Sequence, residues 1–143
     1  MLVSDILKSK GSNVVTVDPG ISVHELARVL AQHRIGCVVV SSDGTTVAGI
    51  VSERDVVRAL ESEGPSALEK PVGEVCTLEV FTVQPADNIE KVATLMTDRR
   101  IRHLPVVEAD ELVGIVSIGD VVKCQIAEAA HEAESLRTYI AAG

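Results

Sequence analysis

The sequence predicts an α/β fold of the α+β type, built as two β-α-β-β-α repeats related by pseudo-two-fold symmetry, each sheet packed against its helices. Three observations predict it. Segments recur in order at an offset of about 66 residues, the apolar period switches between helix and strand at matching places, and one helix-start pattern opens the last helix of both copies. Thr16-Val17-Asp18-Pro19 returns as Thr82-Val83-Gln84-Pro85, and Arg34-Ile35 returns as Arg100-Ile101. After one residue is lost in a hairpin, Gly49-Ile50-Val51-Ser52-Glu53-Arg54-Asp55-Val56-Val57 returns as Gly114-Ile115-Val116-Ser117-Ile118-Gly119-Asp120-Val121-Val122. Two copies make a fused pair, because a solenoid needs roughly three or more units to build its core.

The elements follow in order. A lead-in, Val3-Ser4-Asp5-Ile6-Leu7, resembles Val72-Gly73-Glu74-Val75-Cys76, so the approach to each unit is repeated too. The β-α-β-β-α order calls for a first strand ahead of each opening helix. In the helix that follows, Val23, Leu26, Ala27 and Leu30 share one face behind a Ser22-x-x-Glu25 capping box, and Ile89, Val92, Ala93 and Met96 form the matching face. Cys37-Val38-Val39-Val40-Ser41 and Val47-Ala48-Gly49-Ile50-Val51 are β-rich runs around Ser42-Asp43-Gly44-Thr45, and 103–107 with 112–116 repeat this hairpin across 108–111. The second helix starts at Ser52 in one copy and Ser117 in the other. Residues 61–70 read as polar linker containing Gly64 and Pro65. The expected organisation is repeat one at 1–62, a linker at 63–70, repeat two at 71–125 and a helical extension at 126–143. Along that last helix Val122, Ile126, Ala129, Ala133, Leu136 and Ile140 are spaced by four and three, an apolar stripe with no partner in its own repeat. The stripe suits packing on its own domain, a dimer seam or, less well given its glutamate-rich polar face, a membrane surface.

Composition narrows the function classes. At 143 residues the chain fits one domain and is too short for a catalytic barrel of roughly 250 residues. No apolar run approaches the roughly 20 residues of a membrane span, and the start Met1-Leu2-Val3-Ser4-Asp5 lacks the features of a signal peptide, so the expected location is the cytoplasm. A net charge of -8, with Phe81 and Tyr139 the only aromatic residues, argues against nucleic acid. Cys37, Cys76 and Cys124 are odd in number and outside any C-x-x-C pair, which favours apolar packing over a disulfide framework or zinc site. There is no P-loop and no G-x-S-x-G, and His24, His33, His103 and His131 make no metal-spaced pair, so no enzyme is expected.

The pattern Gly-h-h-Ser/Thr-x-x-Asp, with h apolar, stands at 49–55 and again at 114–120, and an h-x-h-Pro element precedes the second as Ile101-Arg102-His103-Leu104-Pro105. Two linked motifs in two ordered copies resemble the CBS domain, the repeat named after cystathionine β-synthase, in its tandem pair. The likeness covers nearly the whole chain and is similar to small stand-alone bacterial CBS-pair proteins. The first copy departs from the pattern, since Ile35-Gly36-Cys37-Val38-Val39 lacks the proline, so the two sites need not be equivalent. The resemblance implies an adenosine-type ligand held without a covalent bond in a cleft between the repeats. AMP, ADP or ATP is the usual ligand, S-adenosylmethionine or a dinucleotide such as NADH the alternative. It further implies no catalysis, a homodimer shaped as a four-repeat disc, and a regulated partner protein.

Within that expectation the residues divide by chemistry. An aspartate in the first turn of a helix accepts from both ribose hydroxyls, while N-terminal amides favour phosphate. Asp55 and Asp120 are the ribose candidates, Ser52 and Ser117 reach ribose or phosphate, and Arg54 or Arg102 neutralises phosphate charge. His103 is a further donor, and Ile101 and Pro105 belong to the pocket through the same h-x-h-Pro element. The base, lacking an aromatic partner, lies between Thr16-Val17 and Cys37-Val38 or between Thr82-Val83 and His103-Leu104, where backbone amides read its edge. Both Ser-x-x-Asp segments also fit acidic capping boxes that need no ligand, and Arg99, Arg100 and Arg102 also fit a solvated face. Two rival functions stay open: a ligand-independent dimerisation scaffold and a small nucleotide hydrolase.

Overall fold

The structure, a computed structural model, describes residues 1–142; residue 143, the end of the expected extension, lies outside them. In chain order the elements are α1 (Val3–Lys10), β1 (Thr16–Val17), α2 (Val23–His33), β2 (Cys37–Val40), β3 (Gly49–Ser52) and α3 (Glu53–Glu63), then a 3-10 segment (Gly64–Glu69). There follow α4 (Val72–Val75), α5 (Ile89–Arg99), β4 (His103–Glu108), β5 (Glu111–Ser117) and α6 (Ile118–Ala142). The α+β class expected from the repeats is the class observed.

In the first repeat β1 pairs parallel with β2, and β2 pairs antiparallel with β3. Leu26, Leu30, Val38, Val40 and Val51 close a core between this sheet and its helices. Among the described residues the second sheet has only β4 and β5, and the first strand expected in this repeat is reduced to one parallel bridge between Val83 and Val106. Val83 donates its N–H to the Pro105 carbonyl at 3.0 Å and accepts from Val107 at 2.8 Å. The next rung would draw on the N–H of residue 105, and proline has none. The hairpins also differ. Ala109 (φ 51°) and Asp110 (φ 63°) make a tight two-residue turn between β4 and β5. In the first repeat Asp43 organises a longer loop by accepting from Thr45 and Thr46 N–H and from the Ser41 and Thr46 hydroxyls.

The lead-in segments form α1 and α4, and each packs on the other repeat. Val3 and Ile6 of α1 join Val83, Ile89, Val92, Leu104 and Val116 in the second core, and Val72 of α4 joins Val17, Leu26 and Val51 in the first. The main-chain bonds are pseudo-symmetric. Val3 donates to the Asp87 carbonyl and Ser4 to that of Pro85, while Val72 donates to Ile21 and Gly73 to Pro19. Residues 64–69, expected as linker, are 3-10 helix with Ala67 fully buried, which fixes α4 on the first repeat. On the sheet faces turned away from the helices, Val39 and its counterpart Pro105 are both buried, and Leu112 N–H donates to the Thr45 carbonyl, so the repeats close on each other there.

Packing on its own domain does not account for the stripe on α6. Only Val121 and Cys124 of that helix are buried, while Ile126, Leu136 and Ile140 are about two-thirds exposed. The helix outruns the body: at roughly 1.5 Å per residue, residues 127–142 extend about 24 Å.

Candidate functional site

Each repeat ends its sheet in a serine that opens a helix, and three residues on stands an aspartate. Ser52 donates its N–H to Asp55 Oδ2 at 2.9 Å and its hydroxyl to the same oxygen at 3.2 Å. Ser117 N–H donates to Asp120 Oδ2 at 2.8 Å, and Asp120 N–H donates to Ser117 Oγ at 3.2 Å. The capping boxes are therefore formed in the free protein, and each leaves a half-buried carboxylate at the rim of the sheet. The strand opposite supplies the next candidate: Cys37 lies directly across from Ser52, and His103 across from Ser117. Equivalent positions of the two sites thus carry a thiol and an imidazole.

The second site contains a group that local sequence patterns do not reveal. Lys10, at the end of α1, places Nζ 2.7 Å from Asp120 Oδ2 and 3.1 Å from the Ile115 carbonyl oxygen. The pair is partly sheltered, with side chains 35% and 22% exposed. Burial raises the Asp120 pKa, but the Lys10 ammonium and the Ser117 N–H and hydroxyl outweigh it and hold the carboxyl below its usual range. His103 is shifted down as well, first by burial, then by Lys10 and Arg102, against the pull of Asp120 and Glu53. Glu53 opens α3 of the first repeat, so His103 lies where the second repeat meets that helix start. Extending the repeat through the leaders would have brought Lys10 into view: at the lead-in offset its counterpart is Glu79. In the first site Cys37 is pushed up to about 12 by burial, with the Asp55 charge adding to the effect, which suits the packing role expected of the cysteines.

Alternation along the strands divides the expected base walls. The side chains of Val17, Val38, Val83 and Leu104 point into the helix-facing cores at 6% exposure or less, so they meet a ligand through main chain alone. Thr16, Cys37 and His103 take the opposite face, and Thr82 is exposed. Arg54 and Arg102 come together across the repeats, lining a cavity of about 340 Å3 with Arg100, Ile101 and Ile118. Ser117 and Asp120 do not line it. Arg99 instead sits over the Phe81 ring, 4.9 Å from its centroid. A larger cavity of about 550 Å3, lined by Leu30, Ala31, Arg34, Ile35, Gly36 and Glu53 among others, occupies the equivalent place in the first repeat and includes none of the expected site residues. No cluster of metal-ligating side chains occurs among the described residues, and no helix there is long and apolar enough to cross a membrane.

The CBS-domain family model matches residues 3–62 and 72–127. The mitochondrial CBS domain-containing protein CBSX3 of Arabidopsis thaliana is 36% identical, with 99% of this chain and 72% of that protein covered. The solved CBS-domain protein ATU1752 from Agrobacterium tumefaciens is 43% identical with a TM-score of 0.84, covering 87% of this chain and 99% of that one. The CBS pair of MJ0100, in complex with 5′-methylthioadenosine and S-adenosyl-L-methionine, is 28% identical with a TM-score of 0.78, covering 90% and 98%. PAE2072 from Pyrobaculum aerophilum, complexed with AMP, is 30% identical with a TM-score of 0.74, covering 84% and 89%. With both repeats matched and similar structures spanning the pair nearly end to end, the chain belongs to the CBS-domain family as a tandem pair.

Proposed function

We propose that the chain is a non-catalytic regulatory module, cytoplasmic and homodimeric, that binds an adenine nucleotide between its repeats and signals occupancy to a partner protein. The observation that carries this reading is the pair of half-buried carboxylates, Asp55 and Asp120, each held at a helix start beside a strand end. A carboxylate so placed accepts from two ribose hydroxyls while retaining one backbone donor. Two similar structures hold adenosine derivatives, one with AMP and one with 5′-methylthioadenosine and S-adenosylmethionine. These ligands share the nucleoside and differ in charge at its 5′ side, so Ser52 and Ser117 with their aspartates hold ribose, and Arg54, Arg102 and His103 meet the 5′ substituent. Thr16, Val17, Cys37 and Val38 border the base in one site, and Thr82, Val83, Ile101, Leu104 and Pro105 in the other.

Titration calorimetry of the full chain with AMP, ADP, ATP, NADH and S-adenosylmethionine tests the reading. Saturable heat is expected with at least one adenine nucleotide. The absence of heat with every ligand at millimolar concentration overturns it in favour of a ligand-independent dimerisation scaffold. Val57, Val122, Ile126 and Ile140 stand exposed on α3 and α6, an apolar surface suited to a second copy under either reading.

A further inference from the structure

The Lys10–Asp120 pair is made by residues 110 positions apart, from the leader of one repeat and the helix start of the other. The carboxylate that would accept ribose hydroxyls is already engaged by an ammonium. Lys10 and the Ser117 N–H both sit on Oδ2, so a ribose that engages both carboxylate oxygens meets Oδ2 with two donors already in place and competes with the ammonium, and a cation displaced without a new partner weakens binding of that ligand. A phosphate at the 5′ side offers the replacement partner, and a neutral nucleoside does not. The first site has no such device: Glu79 stands at the leader position of Lys10, Gly36 at the position of Arg102, and Cys37 at that of His103.

We propose that Lys10 is a specificity-determining residue of the second site: it occupies Asp120 in the free protein and moves to the phosphate of a bound nucleotide, selecting phosphorylated adenosine over the neutral nucleoside. The inference rests on the reading of Asp120 as a ribose acceptor and deepens it. Discrimination arises twice from one side chain, since adenosine breaks the ion pair without replacing it and AMP exchanges one anion for another.

The test is calorimetry with AMP and with adenosine on the full chain, comparing wild type, Lys10→Met, Lys10→Gln and Lys10→Arg, each in an Asp55→Ala background so that the second site alone is read. Lys10→Met and Lys10→Gln are expected to weaken AMP binding roughly ten-fold, as loss of one charge-assisted contact does. The same substitutions are expected to tighten adenosine binding about two- to five-fold, the worth of a partly exposed ion pair no longer broken. Lys10→Arg keeps the preference for AMP. A merely structural lysine moves both ligands in one direction, so parallel changes, or no change in either, overturn the inference while leaving the proposed function standing. If neither ligand binds at the second site with Lys10 present or replaced, this inference falls, while the five-ligand panel on the unmodified chain decides the proposed function separately.

Discussion

Replacing Asp120 separates two tasks performed by one carboxylate. Its Oδ2 accepts from Ser117 N–H at 2.8 Å and from Lys10 at 2.7 Å. Asp120→Ala removes a helix cap, at about 1 kcal/mol. It also removes an ion pair that solvent screening limits to about 0.2–1 kcal/mol, given side chains 22% and 35% exposed. The sum of about 1–2 kcal/mol lowers the melting temperature by about 3–8 °C for a chain of this size. Asp120→Asn keeps an oxygen for the Ser117 N–H and loses only the charge, so its melting temperature falls by less. Both variants remove the charged acceptor from ribose, worth about 1.5–3 kcal/mol or roughly ten- to hundred-fold in affinity. Thermal melts paired with AMP calorimetry, with Asp55→Asn as the first-site counterpart, read the two effects apart. Because the folded carboxyl titrates below its unfolded value, its stabilisation is complete above about pH 4 and is lost as pH falls through the folded value; Asp120→Asn removes that acid-side slope. Unchanged AMP affinity in Asp120→Asn, with a lowered melting temperature, would show the carboxylate to be a cap and nothing more.

Three further outcomes follow from the same geometry. His103 is held below its usual value first by burial, so the unfolded chain takes up that proton earlier; stability falls as pH drops below about 6.5, and His103→Gln flattens the fall in denaturant melts between pH 7.5 and 5. Gly49→Ala meets Cys76 Sγ and the Thr77 carbonyl oxygen at 2.9 Å, a fixed backbone atom, and costs about 1–3 kcal/mol, whereas Gly114→Ala meets the mobile end of Leu7 and costs under about 1 kcal/mol; equal melting shifts would refute the distinction. Ile126→Asp combined with Ile140→Asp is expected to give a monomer by light scattering while the melting temperature of the body is retained, and a dimer that survives both charges places the seam elsewhere.

Much of the fold was legible because repetition supplied each signal twice. The Ser22 cap, the helix faces ending at Leu30 and Met96, and the helix starts at Ser52 and Ser117 lie within a few residues of the atoms they engage. What escaped was long-range. Self-similarity shows that Val3 corresponds to Val72 but not which core either enters, since both cores accept the same aliphatic side chains. The repeat order promised a first strand in each copy, and in the second the missing N–H of Pro105 limited it to a bridge. The Ser-x-x-Asp candidates were readable as motifs, yet the lysine on one of them was not, because nothing local links Lys10 to Asp120.

The exchanged leaders also govern how the molecule comes into being. When a ribosome has released residues 1–62, α1 is finished but the core that receives Val3 and Ile6 has not been made. The first sheet meanwhile lacks Val72, and the Ile50–Thr77 bridge at its open side cannot form. Neither half can mature on its own timetable. The nascent chain stays adhesive until the second repeat emerges, and an early stop leaves a fragment with two unfinished surfaces rather than one small folded unit.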